Sequence, residues 1–169
     1  QQKNVDTGAG FERLLMVMQG VDNIFDIDIF EKIFTEAKRV SSSLRSQRII
    51  ADHVRTAIFM IVDGVLPSNT DRGYILRRLL RRAIFLTDQK SLSTKDINGF
   101  VYAVAETYGE VYPEIRASSE QIATTISSES EKFKKTLEKG IAMLEKRFSN
   151  YSAEGKTITG QEIFEFFSP

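Results

Sequence analysis

The pattern that most constrains this chain lies between Leu66 and Ala83. A polar turn, Leu66-Pro67-Ser68-Asn69-Thr70-Asp71-Arg72-Gly73-Tyr74, feeds the helical run Ile75-Leu76-Arg77-Arg78-Leu79-Leu80-Arg81-Arg82-Ala83. At about 100° per residue, Ile75, Leu76, Leu79, Leu80 and Ala83 share one stripe, and Arg77, Arg78, Arg81 and Arg82 share the opposite one. The apolar stripe must pack and the arginine stripe must face outward. Guanidiniums with no acid among them repel one another, and two arrangements relieve that. A polyanion such as RNA can lie across them, since the planar fork of Arg matches phosphate oxygens, or acids can arrive from elsewhere in the fold. Pro67 cannot continue a helix, Ser68 or Asn69 can cap the next one, and Gly73 relaxes its first turn. The segment 67–72 is therefore predicted to be a loop mounted between two core helices, where recognition residues tend to collect.

The 169 residues, 41% of them hydrophobic, suffice for one good core or one core with a small appendage. Lys+Arg and Asp+Glu both number 23, so the net charge is zero and a nucleic-acid surface must arise by local segregation, as it does in 72–82. Cysteine is absent, which excludes disulfides and a thiol nucleophile, and with His53 as the single histidine no metal site is expected. No apolar run approaches the ~20 residues of a membrane span, and no charged-then-apolar leader opens the chain. A soluble cytoplasmic protein without membrane contact is expected. Gln1 opens the chain and Pro169 ends it just after an apolar run, which suggests a piece of a longer chain.

Read in order, Asn4-Val5-Asp6-Thr7-Gly8-Ala9-Gly10-Phe11-Glu12-Arg13-Leu14-Leu15 has the pattern of a strand end, a glycine turn and a helix through about Met18. Two glycines let a ligand approach the backbone, and a helix start offers N–H groups to an anion. Alone, a Gly-x-Gly is more often a simple strand-to-helix turn, but here Asp6 precedes it and the Glu12-Arg13 pair follows. A helix is predicted from about Asp28 to Arg39 with Asp26 or Asp28 near its cap. The next is expected from about Leu44 to Val62, closed by Asp63-Gly64, with His53 at the edge of its apolar stripe as a hydrogen-bonded structural residue. Another is expected from Lys95 to Tyr108, closed by Gly109. From about Glu114 to Phe148 the residues Ile115, Ile122, Ile126, Phe133, Leu137, Ile141, Leu144 and Phe148 draw one narrow stripe on a helix about 50 Å long. Ser127, Ser128 and Ser130 mark a weak middle. A polar linker (150–160) and a short aromatic helix, Gln161 to Phe167, complete the chain.

Three stretches together resemble the alanyl-tRNA synthetase family, over nearly the whole chain. They are Asn4 to Leu14; Ile50-Ala51-Asp52-His53-Val54-Arg55 with Asp63-Gly64-Val65-Leu66-Pro67-Ser68-Asn69; and Arg72-Gly73-Tyr74-Ile75-Leu76-Arg77-Arg78 with Arg81-Arg82-Ala83. Glu131-Lys132-Phe133 with Thr136-Leu137-Glu138-Lys139-Gly140 looks like the family's long helix. The first stretch is similar to the third signature of class II synthetases, which supplies the last strand and helix of the adenylate-forming core. The resemblance implies a mainly α fold: a helical bundle with a long C-terminal helix, preceded by a strand-helix remnant of the class II catalytic core. It also implies three parts, 1–20 ending that core, 21–150 recognising the tRNA acceptor stem, and 151–169 as linker and start of a further segment.

The same resemblance implies roles for single residues. Asp6 would hold the alanine ammonium, Gly8 and Gly10 would leave room for substrate and adenylate, and Arg13 would bind ATP phosphate. ATP is then the cofactor, with Mg²⁺ in the longer protein and no metal site in this stretch. The partner is the acceptor stem of tRNA(Ala), marked by a G·U wobble pair whose guanine shows an uncrossed exocyclic amine in the shallow minor groove. Asn69 would be one reader of that pair, its amide offering both donor and acceptor, with Arg72, Arg77, Arg78, Arg81 and Arg82 binding the stem. The family's second reader is acidic, whereas alignment on Phe164 puts Phe167-Ser168 in its place. No catalytic side chain is assigned. The first two class II signatures, expected before Gln1, are missing, so the chain by itself should be a monomer unable to activate alanine. Two other classes of reading are a free-standing helical RNA-binding module, disfavoured by the Asp6 to Arg13 pattern, and a helical scaffold or dimerisation piece.

Overall fold

The computed structural model describes residues 8–149, 151 and 157–167. The strand expected near Val5 lies outside them, and among the described residues all regular structure is helical: α1 (Phe11–Gln19), a 3₁₀ turn (Ile24–Asp26), α2 (Asp28–Val40), α3 (Leu44–Val62), α4 (Asp71–Phe85), α5 (Thr94–Tyr108), α6 (Pro113–Ala117), α7 (Ser119–Phe148) and α8 (Gly160–Phe167). None of the described helices is long and apolar enough to cross a membrane. Two compact units divide at Glu131, within α7.

In the first unit α3 is the central post, packed against α2, α4, α5 and α6. Its i, i+3, i+4 pattern explains this: Ile50, Ala51, Val54, Ala57, Ile58 and Ile61 are all buried. Phe30 and Ile33 from α2, Leu76 and Leu80 from α4, and Ile97 and Phe100 from α5 close around it, each no more than 2% exposed. A side chain of this size contributes about 1.5–3 kcal/mol when fully buried. Caps fix where the helices start and stop. The Ser43 hydroxyl accepts from Ser46 N–H at the start of α3, Ser93 and Asp96 form a reciprocal capping box on α5, and Pro113 opens α6 at its first turn, where no N–H is needed. At the end of α3 the chain turns through Gly64 at φ 81°, as the Asp63-Gly64 reading requires.

Two details differ from the sequence reading. The single long helix from Glu114 is interrupted at Ser118, which takes φ −99° and ψ 8° between α6 and α7. The serine-rich stretch 127–130, the weak middle of that reading, is continuous helix and is packed: Ile126, Glu129 and Ser130 are buried. The buried face of α4 also differs from the predicted stripe. Gly73, Leu76, Leu80, Ala83 and Ile84 are buried, whereas Ile75 is 52% exposed. Gly73 and Ile84, outside the apolar tally, turn that face by about 60° toward Arg77.

In the second unit, α8 is capped by Thr159. Its hydroxyl accepts from Glu162 N–H, and the Glu162 carboxylate accepts in return from Thr159 N–H at 2.9 Å and from Tyr151 Oη at 2.5 Å. The Tyr151 hydroxyl, with the Thr159 bonds, holds the Glu162 carboxyl down at about 2.

Candidate nucleic-acid interface

The loop from Leu66 to Thr70 is folded back over the start of α4. Ser68 N–H donates to Gly73 O at 3.1 Å, the Ser68 hydroxyl donates to Thr70 O at 2.8 Å and accepts from Thr70 N–H. Gly73 is required by this approach and not by helix flexibility, since a Cβ there would collide with the Ser68 hydroxyl and the Leu66 carbonyl. The N-cap of α4 is Thr70, which makes no side-chain cap bond; neither Ser68 nor Asn69 caps the helix. Asp71 enters it at φ 50°, a left-handed conformation that a short polar residue tolerates.

Asn69 is exposed, and its Oδ1 accepts a hydrogen bond from Arg77 Nη1. Arg77 also points Nη2 at the Pro67 carbonyl at 3.5 Å and lies with Nε 3.4 Å from Glu129 Oε1 on α7, an ion pair without hydrogen-bond alignment. Arg81 Nε donates to the same carboxylate oxygen at 2.7 Å. Glu129 is 2% exposed, so its charge is tolerable inside the fold only because two guanidiniums face it. The arginine face is therefore split. Arg77 and Arg81, at its buried margin, meet an acid from α7, while Arg72, Arg78 and Arg82 are exposed and form no ion pair among the described residues. Glu129 escaped the sequence reading. Its signal was the seven-residue step from Ile126 to Phe133 in the α7 stripe, a gap filled by the buried polar pair Glu129 and Ser130.

The other predicted cluster sits at α1. Asp6 lies outside the described residues. Gly8, Gly10 and Arg13 are exposed; a Cβ at Gly8 would meet nothing within 4 Å, and at Gly10 only the aliphatic part of Arg13 at 3.5 Å. Nothing among the described residues demands glycine at either place. Gly10 caps α1 without a side chain, so its first-turn N–H groups have no side-chain partner there, and Arg13 makes no ion pair among the described residues. Free amides beside a guanidinium suit a phosphate group. Its neighbour Glu12 points inward and pairs through Oε1 with Arg55 Nη2 at 2.9 Å. Arg55 also donates to Tyr108 Oη at 3.1 Å and stacks 4.4 Å from the Phe30 ring centroid, and burial pushes the Tyr108 phenol up. This half-buried anchor of α1 was likewise not foreseen, because its members are 43 and 53 residues apart in sequence. His53 is hydrogen-bonded as expected, its Nδ1 lying 3.1 Å from Asp52 Oδ2, and that bond lowers the Asp52 carboxyl.

A helical bundle with a braced arginine edge and an exposed amide at its corner defines a protein class by its surface, not by an enclosed cavity. The class has a name in sequence: the chain belongs to the family of tRNA synthetases class II (A), whose model matches residues 1–168. Within it the similarity is to alanine–tRNA ligases. The chain is 39% identical to that of Elusimicrobium minutum over 173 residues, covering 98% of this chain and 20% of the relative. It is 39% identical to the ligase of Orientia tsutsugamushi strain Ikeda over 169 residues, covering 96% and 19%. It is 37% identical to the ligase of Pseudoalteromonas translucida over 170 residues, covering 98% and 19%. These matches identify an alanyl-tRNA synthetase segment spanning about a fifth of the length of the curated relatives.

Proposed function

We propose that this chain is the part of an alanine–tRNA ligase that receives the tRNA acceptor stem, on the edge formed by Asn69 and α4, and that contributes the third class II signature to the ATP and alanine site. The longer protein would join alanine to ATP as the adenylate and pass it to tRNA(Ala). In the division of labour, 1–20 ends the catalytic core, 21–150 holds the stem, and 151–169 leads onward. The observation that carries the reading is the split arginine face: Arg72, Arg78 and Arg82 stay exposed and unpaired within the described residues beside Asn69, although the chain as a whole is neutral. Charge left unneutralised on a neutral protein supports an anionic partner. Arg13 and the open first turn of α1 suit an ATP phosphate, and Gly8 and Gly10, free of internal crowding, suit close approach by the adenylate. Asp6 is assigned the alanine ammonium by family resemblance. ATP supplies the activated α-phosphorus; this chain's residues bind and orient. Mg²⁺, expected with ATP in the longer protein, is given no ligand from this chain.

Two measurements test the reading. Binding of an acceptor-stem duplex should weaken with salt, and the double replacement Arg78→Ala/Arg82→Ala should reduce the log–log salt slope by up to about two, one per lost phosphate contact. An unchanged slope and affinity would mean that the edge is merely solvated. Alanine-dependent pyrophosphate exchange by the 169-residue chain should be undetectable, because the first two class II signatures are not among its residues; robust exchange would contradict the assignment of the catalytic core.

A further inference from the structure

We infer that Arg55 of α3 is a positioning residue for the ATP-phosphate contact assigned to Arg13, and that it acts through Glu12. The inference rests on the reading of Arg13 as a phosphate ligand and adds what holds that ligand in place. The need for such a device follows from α1 itself, which has nine residues and buries none of them; a helix that short is marginal in water on its own. One stripe of it faces the bundle. Glu12 and Gln19, seven residues apart, come round to within about 20° of each other, with the half-buried Leu15 and Met16 between them, while Phe11, Leu14, Val17 and Met18 stay exposed. Polar bonds close both ends of this stripe. Gln19 Oε1 accepts from Asp28 N–H at 3.1 Å, and Glu12 Oε1 lies 2.9 Å from Arg55 Nη2.

Of these two bonds, the ion pair is the one beside the candidate ligand. Arg13 follows Glu12 by one residue, so pinning Glu12 to the bundle turns Arg13 about 100° away from it, onto the exposed side. The Arg13 Cδ lies 3.5 Å from where a Cβ on Gly10 would stand, so the side chain runs back toward the open first turn. Where its guanidinium points depends on how α1 is rotated about its own axis, and Glu12 sets that rotation at this end.

Arg55 is the fixed end of the pair. Its side chain is 16% exposed against 32% for Glu12, and three helices of the bundle hold it. It is carried by α3, its Nη1 donates to Tyr108 Oη on α5 at 3.1 Å, and its guanidinium stacks 4.4 Å from the Phe30 ring centroid on α2. A partly exposed ion pair contributes little to stability. Its weight lies in placement, because moving a ligand-binding group by about 1 Å can cost up to ~100-fold in rate or affinity.

The test has two arms. In the 169-residue chain, Glu12→Gln keeps the size of the side chain and removes its charge. Amide hydrogen exchange along α1 should quicken by about 2- to 5-fold, with Ile50, Val54 and Ile58 of α3 unchanged. Exchange in α1 as slow as in wild type would overturn the anchor and leave the ATP reading intact. In the longer protein, alanine-dependent pyrophosphate exchange is compared for wild type, Glu12→Gln, Arg55→Met and the double variant. The KM for ATP should rise by about 10- to 100-fold in each single variant and no further in the double, with the KM for alanine unmoved. Loss of folded protein would lower kcat and leave both KM values alone, and that pattern would overturn the positioning role. So would effects on the KM for ATP that multiply in the double variant. If Arg55→Met fails to fold, Glu12→Gln still decides through the same two KM values. Arg13→Ala serves as the control: a KM for ATP that it leaves unchanged would overturn the reading of Arg13 as a phosphate ligand, and the inference with it.

Discussion

The two regions that the sequence singles out, α1 with its glycine turn and α4 with its loop, are built on opposite terms. No residue of α1 is buried, and Phe11, Leu14, Val17 and Met18 are each more than half exposed. It is attached through polar bonds, Glu12 to Arg55 and Gln19 to the Asp28 N–H. By contrast α4 buries five residues, and its basic margin is braced by a carboxylate from another helix. The geometry of the candidate site at α4 is thus determined inside the chain, whereas the candidate phosphate-binding residues of α1 stand on a helix with no buried residue. Preorganised charge discriminates among ligands because its orientation has been fixed during folding.

The sharpest way to break this contrast is to cut into each helix. Leu80→Ala in α4 should cost about 2–5 kcal/mol of unfolding free energy, while Leu14→Ala in α1 should stay within about 0.5 kcal/mol, both read by denaturant melts. Equal losses would refute the asymmetry. Next in size are the glycines. Gly73→Ala should destabilise by about 1–3 kcal/mol through collision with the 66–68 loop, and Gly8→Ala should leave the melt unchanged.

Within the arginine face the comparison inverts. Arg81→Met strips one partner from a buried carboxylate and should cost about 1–3 kcal/mol in stability with little change in salt slope. Arg78→Met should leave the melt alone and lower the slope by up to about one. The smallest effect is a pH dependence. The Asp52 carboxyl is lowered in the folded state by the His53 bond, so its contribution is complete above the ordinary value of 3.8 and is lost as pH falls through the depressed folded one. Comparing the acid limb of stability in Asp52→Asn and wild type should reveal at most ~1 kcal/mol, because the pair is partly exposed.

Helix existence and most helix ends were legible in the sequence, because period-3.6 stripes and cap residues such as Gly64 and Gly109 are local signals. The break at Ser118 was not, since nothing in a Pro-Glu-Ile-Arg-Ala-Ser run forbids a helix. The arginine stripe was legible as a charge pattern but not as a paired half and an exposed half. Which half meets Glu129 depends on where α7 lies, and that contact joins residues 48 apart. Asn69 is a similar case: its polarity and loop position suggested either a cap or a reader, and the cap is removed by the fold of the loop, which makes Thr70 the N-cap and turns Asn69 Oδ1 to Arg77.

The central claim is that the α4 edge distinguishes acceptor stems through Asn69. It is tested most directly by the affinities of wild type and Asn69→Ala for a G·U and a G·C stem, measured alongside their melting curves. The account predicts that Asn69→Ala weakens the G·U stem by about 1–3 kcal/mol, barely changes the G·C stem and leaves stability as it was. A G·U to G·C ratio that survives in Asn69→Ala would contradict it and place the reader elsewhere.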